Sequence, residues 1–447
     1  MKYIVLPMVI VMILIMSFFD IAGTSDKEKI EIPSHELRDE KDLDALIDRI
    51  GDRRVVLLGE ASHGTSEYYE WRAAISKRLI EEKGFTIIGI EGEWADSYRV
   101  NQFIRSSGGD PVSVLQNYDR WPTWMWANEE VERLVGWLQN HNSSVANEQK
   151  VGFYGLDVYC LWESMEVLMP YIKDDKELTQ LAQQVKNCFQ PYSADPMMYA
   201  YAVMDADASC KQNLAKLQSA VSKRLAGKTQ LTEEEVLIQQ NVQVAVNGER
   251  YYSAAGSSSA MSWNIRDRHM METIKRLLTW KGPQAKILIW EHNTHVGDAR
   301  YTDMAGAGMV NVGQLVREEY GEDQVYIVGF GSYKGSVIAS DRWGGKVTKM
   351  KVPAAKRNSW EELLHRDGAA NKLVFSDELG GMTMLTKSIG HRAIGVQYDP
   401  NYESGNYVPT VVTKRYDAFV YIDETTALHP LPLRVRNEPP DTYPSGF

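Results

Sequence analysis

Cysteine is nearly absent from this 447-residue chain. Cys160, Cys188 and Cys210 are the only three. So sparse and odd a set excludes a disulfide-stapled scaffold. One bridge is open to a protein in an oxidising compartment, but the expectation is that all three pack as small apolar residues. A basic balance is also missing. The net charge is −11, from 49 Lys and Arg against 60 Asp and Glu. No long basic run occurs, so nucleic acid is not an expected partner, and the acidic excess favours solubility. There is no internal repeat and no low-complexity tract.

Long hydrophobic runs are absent but for one, Tyr3–Phe19, behind Met1 and Lys2. It falls short of the about 20 residues of a comfortable membrane span. It reads as the n-region and h-region of a signal peptide, with small residues at Ala22 and Gly23 near a plausible cleavage point. An uncleaved anchor is the alternative. No Cys lies there to carry a lipoprotein anchor. The expected organisation is a signal peptide or anchor over residues 1–23, a polar linker over 24–35, and one domain over 36–447. The expected location is exported: periplasmic, secreted or membrane-anchored, touching a membrane only through that N-terminal segment.

What the chain does have is an ordinary globular balance, 44% hydrophobic and 24% charged. That suits one large domain with insertions, or two domains. Twelve Trp and 23 Tyr supply buried area and flat faces for a pocket holding a bulky organic ligand. Short apolar runs predict strands at Val55–Gly59, Phe85–Glu91, Val151–Asp157, Ala285–Glu291, Gln324–Phe330, Ala393–Tyr398 and Phe419–Asp423. Helices are expected at Leu43–Ile50, Ser66–Lys83 and Glu129–Asn140. The alternation predicts an α/β fold with a mostly parallel central sheet flanked by helices. From about residue 161 to 281 no strand-like run occurs. The Ala-, Gln-, Lys-, Leu- and Glu-rich composition predicts a large helical insertion bordering the cleft, broken by Gly256–Ser259.

Four predicted strands finish on ionisable residues: Glu60, Glu91, Asp157, and Glu291 with His292. The carboxyl ends of parallel strands share one edge, where ligands bind. Glu60 and His63, in Gly59-Glu60-Ala61-Ser62-His63-Gly64, are three residues apart on a tight strand-to-helix turn. A carboxylate beside an imidazole orients the ring and raises its basicity, which suits a general base. A helix cap and a solvated strand end would account for the same pair. Ser62 lacks the Gly-x-Ser-x-Gly frame of a nucleophile elbow, with Glu60 where the first Gly belongs, and reads as a turn residue. Arg72 is a candidate anchor for a carboxylate or oxyanion, or a solvated helix charge. His292 and His295, three apart past a buried strand, are able to hold a metal, stabilise an oxyanion or shuttle protons, or are structural. Arg266 and Asp267 are candidates to support the pocket. With Trp124 and Trp126 they make up the expected substrate-binding set.

In order and spacing, Gly59-Glu60-x-x-His63-Gly64, Arg72, Gly84-Phe85…Glu91, Gly155-Leu156-Asp157, Arg266-Asp267-x-x-Met270, His292-x-x-His295 and the tail Tyr416–Pro430 resemble the erythromycin esterase family. The resemblance spans residues 36 to 430. It implies an α/β sheet with a helical part beside the cleft, and a hydrolase that opens the lactone of 14-membered macrolides with water. It matches the family's histidine base to His63, the preceding acid to Glu60, the pocket Arg and Glu to Arg72 and Glu91, and the later His pair to His292 and His295. The leading expectation is a carboxylic ester hydrolase that needs no cofactor, acting on a small-molecule ester or macrolide. His63 would be its base, with Arg72, His292 and His295 as oxyanion stabilisers. Two rivals stand beside it. One is a metal-dependent hydrolase using Glu60, His63, Glu91, His292 and His295 as ligands. The other is a non-enzymatic protein binding an envelope polysaccharide on Trp121, Trp124 and Trp126.

Overall fold

The computed structural model describes residues 31–432 apart from 194–195, 205–207 and 256–258. The signal-peptide or anchor segment, most of the expected linker and the break at Gly256 lie outside the described residues. Eleven strands are described: β1 (His35–Glu36), β2 (Val55–Leu58), β3 (Ile87–Glu93), β4 (Gly152–Asp157), β5 (Ile287–Trp290), β6 (Val325–Ala339), β7 (Thr348–Val352), β8 (Lys372–Phe375), β9 (Ile389–Arg392), β10 (Tyr407–Thr410) and β11 (Ala418–Thr425). Nine of them form one sheet in the order β1-β8-β11-β6-β2-β5-β3-β4, with β7 on β6. The stretch from β11 to β4 is parallel; β1, β8 and β7 pair antiparallel.

The central strands are short and apolar because both their faces are covered. Every residue of Val55–Leu58 and Ile287–Trp290 is buried. Alternation sends Val56, Leu58, Leu288 and Trp290 into one core and Val55, Leu57, Ile287 and Ile289 into the other. Before the insertion come helices α1 (Asp44–Ile50), α2 (Ser66–Lys83), α3 (Trp94–Arg105), α4 (Pro111–Leu115) and α5 (Glu129–Ser144). The first core is filled from α1, α2 and α5. The insertion holds α6 (Leu161–Ile172), α7 (Lys176–Phe189), α8 (Pro196–Met204), α9 (Lys211–Leu225), α10 (Glu233–Ala255) and α11 (Ser259–Lys281). Most of it packs around a third core of its own, while α11 reaches back to the second. After β5 follow α12 (Asn293–Val296), α13 (Val312–Tyr320) and α14 (Trp360–Arg366). The expected mixed fold with a helical insertion over 161–281 is what the chain adopts.

Several expectations are corrected. Ala393–Tyr398 is not a ladder strand. Ile394, Val396 and Tyr398 are buried in the strand-like alternation that suggested one. The run crosses the strand ends, however, and bridges only singly, from Ile394 to Ser62 and from Gln397 to Ser340. The predicted strand at Gln324–Phe330 continues to Ala339, because its second half pairs with β7. The linker ends early: Ile32 is buried, and His35–Glu36 pair with Leu373 and Lys372. The cysteines are not all packing residues. Cys188 and Cys210 form a disulfide across 22 residues, and only Cys160 is free and buried. No helix among the described residues is long and apolar enough to cross a membrane.

Candidate active site

Parallel pairing of β2, β5 and β3 brings three turns to one sheet edge. The first follows β2. Gly59 and Gly64 bracket it because there is no room for a side chain: a Cβ on Gly64 would lie 1.9 Å from the Ile338 carbonyl oxygen. Thr65, not His63, is the N-cap of α2. His63 and Glu60 are both buried, so Glu60 is not a solvated strand end.

Within this turn His63 Nδ1 lies 2.8 Å from Glu60 Oε1. A carboxylate accepts only, so the ring proton sits on Nδ1 and Nε2 is left with its lone pair. The other Glu60 oxygen accepts from Arg72 Nη2 at 2.5 Å. Arg72 is fully buried, with its guanidinium carbon 4.4 Å from the Tyr69 ring and 4.7 Å from the Trp290 ring. It lies behind the cleft wall and does not line the cleft. It holds Glu60, and Glu60 holds His63. Ser62 faces the Thr65 hydroxyl.

The second turn follows β5. His292 is the N-cap of α12, its Nδ1 accepting from the Thr294 amide and hydroxyl. That places the ring proton on Nε2, a buried donor with no partner among the described residues. The His292 and His63 rings are 4.9 Å apart. Burial holds the His292 pKa well below the usual imidazole value, so the ring is neutral. His295 does not converge with it. It stacks on Trp263 at 4.5 Å, and its Nδ1 lies 2.9 Å from Asp267 Oδ1. Asp267 is buried and also accepts from the Val312 amide, so it serves His295 and does not line the cleft. Two influences compete at His295. Against burial, Asp267 and Glu91 raise its pKa to about 10, while Arg266 Nη1, 3.0 Å from Nε2, needs a lone pair there. A proton on Nε2 would set two N–H groups head-on, so hydrogen-bond geometry favours the neutral ring protonated on Nδ1.

The third turn follows β3. Glu91 Oε2 accepts from the His292 amide at 2.8 Å, and Oε1 accepts from Arg266 Nη2 at 2.8 Å. Burial alone would raise the Glu91 carboxyl, but the Arg266 guanidinium beside it holds it below the usual carboxylate range. Arg266, from α11, also grips both oxygens of Asp157 at the end of β4. Glu291 lies beneath, fully buried, with neither carboxyl oxygen partnered among the described residues. Burial pushes its pKa well above the usual range, and it is a neutral acid.

These turns border an open cleft with a cavity volume of about 90 Å³. Of the expected catalytic residues, His63 and Glu91 line it, while Glu60, Arg72, His292 and His295 stand behind them. Of the expected binding residues, Arg266 and Trp126 line it; Asp267 and Trp124 do not. Trp124 packs in the first core. Trp121 does line the cleft, edge-on to Trp343 at 4.6 Å. The sequence reading missed Glu93, Asp96, Tyr118, Arg120, Tyr159 and Trp343. Glu93 carried a signal, since residues two apart on a strand share a face. Trp343 carried none, because the β6–β7 excursion delivers it from 222 residues beyond Trp121 by numbering. Burial pushes Glu93 well above the carboxylate range and Asp96 up to about 7.

Among the described residues, no three His, Cys, Asp or Glu side chains are placed to hold a metal ion together. Both Glu60 oxygens and both Glu91 oxygens are already engaged.

Comparison with known proteins gives a consistent result. The family model for erythromycin esterase matches residues 80–425. Erythromycin esterase type II of Escherichia coli is 23% identical over 359 residues, covering 73% of this chain and 81% of that one. The putative hydrolase YbfO of Bacillus subtilis is 24% identical over 405 residues, covering 84% and 87%. Among solved structures, an erythromycin esterase mutant in its open conformation has the same fold. Its TM-score is 0.67 at 15% identity, covering 88% of this chain and 97% of that one.

Proposed function

This chain belongs to the erythromycin esterase family, and from that premise we propose that it hydrolyses a carboxylic ester or macrolactone with a water activated by His63. The coarse assignment, a hydrolase of the erythromycin esterase type, rests on the family and on the relatives named above. The finer one rests on a single observation: His63 borders the cleft with Nδ1 tied to Glu60, whose second oxygen is tied to buried Arg72. That chain of contacts presents a basic Nε2 to the cleft in one orientation.

In this reading, water oxygen attacks the ester carbonyl carbon as its proton passes to His63 Nε2. Charge on the imidazolium is stabilised by Glu60 through Nδ1–H. The carbonyl π electrons become an oxyanion. The unpartnered Nε2–H of His292, beside His63, supports its assignment as a donor to that oxygen. Collapse breaks the bond to the alcohol oxygen, which takes the proton back from His63. Glu91 and Arg266 tie the His292 turn to the ends of β3 and β4. The walls of Trp121, Trp126 and Trp343 suit the apolar face of a bulky ester, and a 14-membered macrolide is the candidate the relatives suggest. We propose further that the protein is exported. Its disulfide supports this, since such bonds persist in oxidising compartments.

The test is an assay of purified protein against simple esters and macrolides, with and without a chelator, alongside His63→Asn. Ester turnover lost in His63→Asn and kept with chelator is the expected result. Turnover abolished by chelator and restored by zinc would favour metal-dependent hydrolysis instead. No turnover of any ester by the wild type would overturn the proposal.

A further inference from the structure

The turns carrying His63 and His292 are not adjacent in sequence, yet one side chain touches the frame of both. Asn293 is fully buried. Its backbone amide donates to the Glu60 carbonyl at 2.8 Å, and its carbonyl accepts from Arg415 at 2.8 Å. Its side chain crosses beneath Gly59 and pairs with the backbone of β6. Nδ2 donates to the Phe330 carbonyl at 2.7 Å, and the Phe330 amide donates to Oδ1 at 3.2 Å. The amide thus takes the place that the next residue of β2 would occupy in the ladder, just where β2 leaves the sheet for the catalytic turn. This crossing explains Gly59, since a Cβ there would lie 2.1 Å from Asn293 Oδ1.

A second buried device sits on the far side of that amide. His391 Nε2 is 3.2 Å from Asn293 Nδ2, and His391 Nδ1 is 2.5 Å from Glu361 Oε1. An amide nitrogen can only donate and a carboxylate can only accept, so His391 must carry its proton on Nδ1. Both His391 and Glu361 are fully buried, at no benefit to the cleft they do not line.

We propose that Asn293 is a positioning residue that fixes the His63 turn against the His292 turn, with the Glu361–His391 pair holding its amide in the working orientation. The proposal rests on the hydrolase reading for its activity readout only. Asn is required because Phe330 demands one donor and one acceptor. Asp would set an oxygen against the Phe330 carbonyl and the His391 lone pair.

The test compares Asn293→Asp, Gly59→Ala, His391→Gln and His391→Phe in the full chain. Readouts are kcat and KM on an ester the wild type hydrolyses, the melting temperature, and the His292 resonances in ¹⁵N-histidine-labelled protein. Misplacing a catalytic group by an ångström costs on the order of 10²-fold, so Asn293→Asp and Gly59→Ala should lose about that much in kcat with little change in KM. Gln at 391 can accept from Asn293 and donate to Glu361, and should stay within a few-fold of wild type. Phe at 391 suits its aromatic neighbours Tyr416 and Phe419 but offers no acceptor. It should lose kcat by about tenfold or more, even at an equal melting temperature. His292 resonances should move in every variant except His391→Gln. Equal activity of the Phe and Gln variants, or an unmoved His292 signal in Asn293→Asp, would overturn the proposal. Should Asn293→Asp not fold, Gly59→Ala and the His391 pair decide it. If the wild type cleaves no ester, the hydrolase reading fails, and the His292 signal alone decides the positioning role.

Discussion

A histidine that acts as a base must keep one nitrogen free, and at His63 the Glu60 carboxylate takes up the other. We expect His63→Asn to lower kcat/KM by about 10²–10⁴, measured on any ester the wild type cleaves, with an unchanged circular dichroism spectrum. Arg72 has a different signature, because it is buried against Glu60 and not exposed to substrate. Arg72→Met should cost stability, about 3–5 kcal/mol as for breaking a buried pair, besides activity; chemical denaturation reads the difference. At His292 the prediction concerns pH. Burial depresses the folded-state pKa, so below about 6.5 the unfolded chain binds a proton that the folded chain refuses. This contribution to stability is constant above that pH and declines as pH falls below it. Replacing the residue removes that decline. The stability gap between wild type and His292→Asn should therefore narrow or reverse on acidification through that range, as read by urea denaturation at several pH values.

Among the elements, α7, α8 and α9 of the helical insertion pack around the third core and not against the sheet. The Cys188–Cys210 bond joins the end of α7 to the residue before α9, enclosing α8. α8 lays Met198, Tyr201 and Met204 open to solvent on one side and is anchored on the other by buried Tyr199 and Ala200. Closing a loop of that length limits the unfolded chain by about 3 kcal/mol in the chain-entropy view. We expect Cys188→Ser/Cys210→Ser to lower stability by up to that amount and to speed amide exchange in α8 first. Exchange unchanged in α8 would show that its contacts with α10 suffice alone. The active-site strands β2, β3 and β5 are the opposite case. Both of their faces are covered, and their amides should exchange last.

For the whole molecule, the cleft is the feature that ties distant parts together. Its walls come from the loop at Tyr118–Trp126, the β6–β7 excursion at Trp343, and α11 at Arg266. A ligand that fills it should stabilise the folded chain by about 2.7 kcal/mol at a hundredfold excess over Kd. The measurement is the melting temperature of His63→Asn protein with a bound ester. Trp343→Ala should weaken that binding and raise KM while leaving kcat close to wild type, because the ring borders the cleft away from the proton transfers. An equal loss in kcat would place Trp343 nearer the chemistry.

The amino-acid sequence by itself determined the secondary frame and the addresses of the chemistry. Apolar runs of four to seven residues become strands where helices cover both faces, and charged residues cannot follow them into the core. Glu60, Glu91, Asp157 and His292 were therefore legible as strand-end groups, and the motif order carried the family. The helix-rich composition, with no strand-like run, likewise marked the insertion from Leu161 to Lys281. Roles and depths were decided only by the tertiary structure. Arg72, Asp267 and His295 are of the same residue types as cleft groups, yet close packing buries them behind those groups, since position along a helix does not say what packs above it. Strand order placed β5 between β2 and β3, which set His292 beside His63. The Trp121–Trp343 wall, the disulfide and the Asn293 crossing under Gly59 join residues far apart in the chain. No local pattern encodes such contacts, because they depend on which strands become neighbours.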